Sequence, residues 1–157
     1  MQYSVAVRAL CEFVAKQGDL DLRFTPSPTA LEGIQGHGIV TARRKQSYQR
    51  EVALEGEYRH LRIKGRADGY DPELNRLEEI KTYRGDLTHM PPKHRHLHWA
   101  QAKIYGWLLC QKLSLHELEL ALVYFDVGSQ KETTLLERFT SGVLKEYFER
   151  QCSLFLD

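Results

Sequence analysis

"GRADGYDPELNRLEEIKTYRG", residues 65–85, carries two carboxylates and a lysine, Asp68, Glu79 and Lys81, in two segments that read as neighbouring β-strands. The Asp-Pro and Asn of "DPELN" mark the turn between them. Side chains on a strand alternate faces. Leu77, Glu79, Lys81 and Tyr83 therefore share one face of the second strand, and Arg66, Asp68 and Tyr70 share a face of the first. A loop centred between Glu73 and Leu74 sets Asp68 opposite Glu79, with Cβ atoms about 4.5–5.5 Å apart. Like charges in that position destabilise a sheet. A dication between them reverses the sign. Mg²⁺ and Mn²⁺ prefer carboxylate oxygens and keep several waters, one of which can be acidified and aimed at a phosphorus. Lys81 reaches the same place, where it can neutralise transition-state charge and orient the attacking water. The competing reading is a solvated face of ordinary ion pairs. In this register Arg66 falls opposite Lys81, a like-charge pair that needs a phosphate or an acid nearby. Glu78 should point to the other face, and Glu51 is a further acid within reach.

Outward from this hairpin, alternation predicts a strand over residues 49–57, then 59–70 and 75–83, a meander. Residues 4–16 read as a helix, with Val7, Leu10, Cys11 and Val14 at helical spacing, broken at Gly18-Asp19. After the breaker "TPSPT", Thr29 and Glu32 form a capping box that opens a helix to about residue 44. Gly33, Gly36 and Gly38 within it cost roughly 2–3 kcal/mol together, so something needs to approach that backbone closely. Ala30, Ile34, His37 and Thr41 share one helical face, which turns His37 inward with Ile34. Past a Pro-rich basic loop, residues 97–113 read as a helix that buries Leu97, Ala100, Ile104 and Leu108. Gln101 falls within that stripe and needs a buried partner or a ligand. Residues 117–127 read as a central strand and 131–139 as another. A final helix has Val143, Leu144, Tyr147, Phe148, Leu154 and Phe155 on one side. Helices flanking a mixed sheet make the class α/β or α+β.

A length of 157 residues fits one domain with a proper core. No apolar run approaches a membrane span and no signal-peptide pattern opens the chain. Cys11, Cys110 and Cys152 are far apart with no CxxC, which argues against disulfides or a zinc or iron–sulfur cluster and for a reducing cytoplasm. The net charge of +1 does not announce a nucleic-acid binder, but the charge is uneven. Residues 43–66 hold eight basic and three acidic residues, and residues 81–103 hold five basic, one acidic and four histidines, a local field able to hold phosphates. The histidines His89, His94, His96 and His98 lack a cysteine or carboxylate set, which favours a basic, DNA-facing loop over a metal site. Trp99 and Trp107 read as packing residues.

Taken together, "GRADG" and "EEIKT" resemble the PD-(D/E)XK nuclease superfamily, in its RecB-like branch. "QAKIY" matches that branch's Q-x-x-x-Y helix motif at Gln101 and Tyr105, and His37 stands where the branch often has a metal-ligating histidine. Ala67 replaces the Pro of the family name. The iron–sulfur cysteines of some members are missing, which implies the cluster-free type. The resemblance implies a restriction-endonuclease-like core and a Mg²⁺- or Mn²⁺-dependent deoxyribonuclease. Asp68, Glu79, His37 and the Ile80 carbonyl would hold the metal and Lys81 would position the water. Gln101 and Tyr105 would brace the site or meet the DNA backbone. The whole chain is also similar to the N-terminal nuclease module of some bacterial DinG-like, iron–sulfur-family DNA helicases, in "YSVAVRALCEFVAKQGDLDLRF" and "LHWAQAKIYGWLLCQ". That implies one nuclease domain over residues 1–157 within a longer helicase–nuclease chain or complex, working in DNA repair or processing. Two other readings are a non-catalytic DNA-binding or docking module of the same fold and a nuclease acting on RNA.

Overall fold

The computed structural model describes residues 2–16 and 28–157. The break expected at Gly18-Asp19 and the start of "TPSPT" lie outside them. In order come β1 (Tyr3–Ala6), α1 (Val7–Lys16), α2 (Ala30–Ala42), β2 (Gln49–Tyr58), β3 (Leu61–Asp71), β4 (Arg76–Tyr83), a 3₁₀ turn (Leu87–His89), α3 (Pro92–Leu113), β5 (Glu117–Asp126), β6 (Glu132–Thr140) and α4 (Ser141–Leu156). The strands form one mixed sheet in the order β1-β3-β4-β5-β6, with β2 also paired to β3. Helices α1, α3 and α4 cover one face over a core that includes Leu10, Leu77, Ile104, Leu108, Leu122 and Phe148. Helix α2 covers the other over Val40, Ile80, Ala121, Val123 and Phe125.

The topology of β3 positions everything that follows. One edge runs antiparallel to β2 from Leu61 to Tyr70. The opposite edge is divided between two partners. β1 pairs in parallel with Leu61–Lys64, and β4 pairs antiparallel with Gly69, Tyr70 and Asp71 only. Residues 65–68 thus face a gap in the sheet. The expected hairpin register holds, with Gly69 opposite Glu78 and Tyr70 opposite Leu77, but the ladder stops one step short of Asp68 and Glu79. The turn itself fixes the register. Asp71 Oδ1 accepts the N–H groups of Glu73 and Leu74, and Tyr70 donates its hydroxyl to Asn75, which takes the left-handed conformation.

Four expectations need correction. Residues 3–6 are a strand rather than helix: Tyr3 donates to the His60 carbonyl and the segment adds to the β3 edge, so helical spacing begins only at Val7. The capping box of α2 is present, but its buried face is not that of His37 with Ile34. Ile34 is 71% exposed, while Gly36 and Val40 are buried. A Cβ on Gly36 would stand 2.6 Å from Thr82 and 3.1 Å from Phe125, so the sheet is what approaches this helix. The basic stretch ahead of residue 97 is helix from Pro92 onward, since a proline at N1 has no intrahelical N–H to lose. In α4, Val143 and Leu154 are exposed and Cys152 takes the inward position. Trp99 and Trp107 pack against the core as read, and the three cysteines are buried and unpaired.

The two glycines flanking the "RAD" of β3 both admit a tyrosine. A Cβ on Gly65 would lie 2.8 Å from the Tyr105 hydroxyl, and one on Gly69 would overlap the Tyr48 ring. Tyr48 donates to Glu78 Oε1 at 2.8 Å on the α2 face. Gly69→Ala is therefore expected to lower stability by about 2–3 kcal/mol through overpacking and loss of that bond. Denaturant unfolding of Gly69→Ala with and without Tyr48→Ala checks this: the two losses should be strongly non-additive.

Candidate active site

The gap leaves backbone amides without ladder partners, and side chains take them up. The Tyr105 hydroxyl lies over Gly65, next to Arg66. Glu79 Oε1 accepts the N–H of Asp68 at a long 3.4 Å. Asp68 Oδ2 accepts the N–H of Ile80 at 2.6 Å. The Asp68 carboxylate thus lies within the opening between β3 and β4, close to the plane of the sheet, and both helical layers can reach it. From α2, His37 Nδ1 stands 3.6 Å from Asp68 Oδ1. From β4, Lys81 Nζ stands 3.9 Å from Glu79 Oε2 and donates to Gln101 Oε1 on α3 at 2.6 Å. The partner that Gln101 needed is Lys81. Because the N–H of Ile80 faces the opening, its carbonyl faces the same way, as both groups of one strand residue do.

His37, Asp68, Glu79, Ile80, Lys81, Gln101 and Tyr105 line a single cleft of about 400 Å³. The structure brings together every site residue read from the sequence. The cleft is also lined by His94 and His98, which the sequence reading placed in a basic, DNA-facing loop without a role in the site, and by Arg8, Pro28, Thr82 and Met90, which it did not assign to the site. The signal was present: His94, His98, Gln101 and Tyr105 recur at helical spacing, one stripe of α3. Arg66, expected opposite Lys81, is not paired with β4; it pairs with Ala53 of β2 and lines the cleft. Glu51 is exposed and left-handed, beside Asp68. Glu78 points away, as read, and is buried on the α2 face with Arg44 Nε at 2.9 Å. Arg44 also holds Glu132 at 2.7 Å, which ties the end of α2 to β4 and β6.

Burial governs the electrostatics. The Glu79 carboxyl, 4% exposed, is pushed up to about 8, chiefly by desolvation and secondarily by the Asp68 charge, with Lys81 opposing. Asp68 is raised too, first by burial, while His37, the Ile80 amide and Lys81 pull it down. Buried Glu79 and half-buried Asp68 both resist ionisation beside a single lysine, and a hard dication would favour their charged forms, so the donor set fits Mg²⁺ or Mn²⁺. Among the described residues no three His, Cys, Asp or Glu side chains already converge on one point.

The sheet has β4 and β5 parallel at its centre and helices on both faces, the mixed α/β architecture that a restriction-endonuclease-like core would require. The crystal structure of SSO0001 matches 98% of this chain and 77% of its own, with 22% identity and a TM-score of 0.56. A phage related exonuclease from Haemophilus somnus 129PT matches 94% of this chain and 83% of its own, with 14% identity and a TM-score of 0.46. The first likeness shows the fold alone, and the second is too distant to speak for activity. No protein-family model and no curated protein matches the chain. No described helix is long and apolar enough to cross a membrane.

The raised Glu79 has a measurable consequence. A native carboxyl that holds its proton more tightly than the unfolded chain stabilises the fold in acid, and that stability is lost as pH rises through about 8. In EDTA, the melting temperature of the wild type should fall relative to that of Glu79→Gln between about pH 5 and about pH 9. Parallel melting curves across that window would show that Glu79 ionises without penalty.

Proposed function

We propose that this protein is a divalent-metal-dependent deoxyribonuclease of the RecB-like PD-(D/E)XK type, without an iron–sulfur cluster. The observation that carries the reading is the meeting of an acid pair, a lysine and the Gln101–Tyr105 helix in one cleft. Asp68, Glu79, His37 and the Ile80 carbonyl would hold Mg²⁺ or Mn²⁺, which when bound supplies Lewis acidity and a more acidic water. Lys81 orients the attacking water and offsets charge that develops on the phosphoryl group. Gln101 holds the Lys81 ammonium in place, since its amide oxygen accepts from Nζ. Tyr105 packs over Gly65 of β3, close to Asp68.

A polyanionic substrate fits the surroundings. The cleft shares Arg66 with an adjoining groove lined also by Lys64 and Lys112. Among the described residues these three cations pair with no carboxylate, whereas Arg43, Arg44, Lys45 and Arg76 all do. Such a groove can track a phosphodiester backbone. The resemblance to the nuclease module of DinG-like helicases further suggests a domain of a longer helicase–nuclease polypeptide or complex that acts in cytoplasmic DNA repair or processing.

Cleavage of single- and double-stranded DNA, and of RNA of the same sequence, in Mg²⁺, Mn²⁺ or EDTA tests the reading. The expected result is metal-dependent DNA cleavage, reduced in Lys81→Ala by about 10²–10³-fold. Salt-sensitive DNA binding with no turnover in either metal would overturn it and leave a binding module, and a preference for RNA would move it to that substrate.

A further inference from the structure

We propose that His98 is a neutral hydrogen-bond donor in the cleft, its Nε2–H directed at a non-bridging oxygen of a bound phosphodiester, with Tyr124 holding it in that tautomer. The inference rests on the cleft being a phosphodiester site.

His98 lies one turn before Gln101 on the α3 stripe that lines the cleft. Its Nδ1 stands 2.8 Å from the Tyr124 hydroxyl. Tyr124 is fully buried on β5 and sits beside Lys81 in the parallel ladder. The Arg95 guanidinium lies against the Tyr124 ring, 5.5 Å from its centroid. Arginine has no acceptor to offer the Tyr124 proton. Among the described residues His98 Nδ1 is the one acceptor within hydrogen-bond distance of the Tyr124 proton. A buried hydroxyl that donates to nothing costs about 1–3 kcal/mol, so the hydroxyl donates and Nδ1 accepts. A neutral imidazole whose Nδ1 accepts carries its proton on Nε2. With Nδ1 turned to Tyr124, Nε2 is the nitrogen left for the cleft.

The ring stays neutral across the working pH range. Burial first, then the neighbouring Lys81, His94 and Arg95, push its pKa down to about 2. His98 therefore gives the cleft a hydrogen bond and no charge, and it cannot act as an imidazolium acid. The donor complements Lys81: one group is a cation held by Gln101, the other a fixed dipole held by Tyr124.

Ring-nitrogen NMR of the labelled protein, with a short oligothymidylate as probe and Ca²⁺ as the ion, tests both halves. His98 should show a protonated Nε2 and a bare Nδ1 with no titration near neutral pH, and the Nε2 signal should move on binding. His98→Ala should weaken oligothymidylate binding by about tenfold, as expected for one hydrogen bond to a charged group. His98→Gln, whose amide nitrogen falls near Nε2, should recover most of the loss. Tyr124→Phe should mix the tautomers and weaken binding less than His98→Ala. A protonated Nδ1 in the folded wild type, or full affinity in a folded His98→Ala, overturns the proposal. A wild type that fails to bind oligothymidylate overturns both this proposal and the nuclease reading. Binding with the expected His98 signals but no cleavage in Mg²⁺ or Mn²⁺ sustains the donor and removes the nuclease alone.

Discussion

A backbone amide that faces no partner must find one, and this requirement organises the centre of the molecule. The edge of β3 opposite β2 is shared by β1 and β4, which leaves residues 65–68 between them. N–H groups on both sides of the opening are capped by Glu79 and Asp68. Two carboxylates are therefore drawn into the sheet itself. They cannot swing outward to solvent without stranding an amide, and burial then raises both of their pKa values. The unfavourable acid pair and the completeness of the backbone hydrogen bonding are one arrangement seen from two sides.

The two helical layers serve this opening differently. Helix α2 lies close on the sheet because Gly36 has no side chain to hold it off Thr82 and Phe125. Its far end is tied down by Arg44, which bridges Glu78 and Glu132. This places His37 against Asp68. Helix α3 works through side-chain length instead: Gln101 reaches Lys81, and Tyr105 passes over Gly65 to the strand backbone. The adjacent residues Glu78 and Glu79 show what the opening does. Glu78 faces α2 and meets both Arg44 and Tyr48. Glu79 faces the opening, and its nearest cation is a lysine at 3.9 Å that is already bonded to Gln101. Only the second acid lacks a cation within hydrogen-bond distance, and it is the one that holds its proton up to about 8.

Much of this was legible in the residues, because the most informative signals were local. The "DPELN" turn fixed the hairpin register, and strand alternation put Glu78 and Glu79 on different faces. The spacing of Gln101 and Tyr105 marked a shared helix face, and the apolar stripe demanded a partner for Gln101. What stayed hidden depended on contacts distant in sequence. Residues 4–6 read as the first turn of a helix, and only the free edge at Leu61–Lys64 makes them a strand. The inward face of α2 was misread because periodicity weighs Ile34 as apolar and Gly36 as neutral. In the fold, the missing side chain at Gly36 is what permits contact. His98 was set aside within a histidine-rich run. Its role follows from Tyr124, and no spacing within the chain announces that pair.

A continuous β3–β4 ladder would have given a more regular sheet; it stops after Gly69, and carboxylates take up the amides it leaves. Tyr105 lies over Gly65, and Tyr48 over Gly69. Each ring covers a face of β3 rather than its edge, and Gly69 still pairs with Glu78 beneath Tyr48. Glycine at 65 and 69 makes room for the two rings, and between them Asp68 reaches across the opening to the Ile80 amide. The "GRADG" stretch is informative for this steric reason as much as for its acid. It describes a strand made narrow enough for other elements to enter, and the chemistry of the cleft is built from what enters.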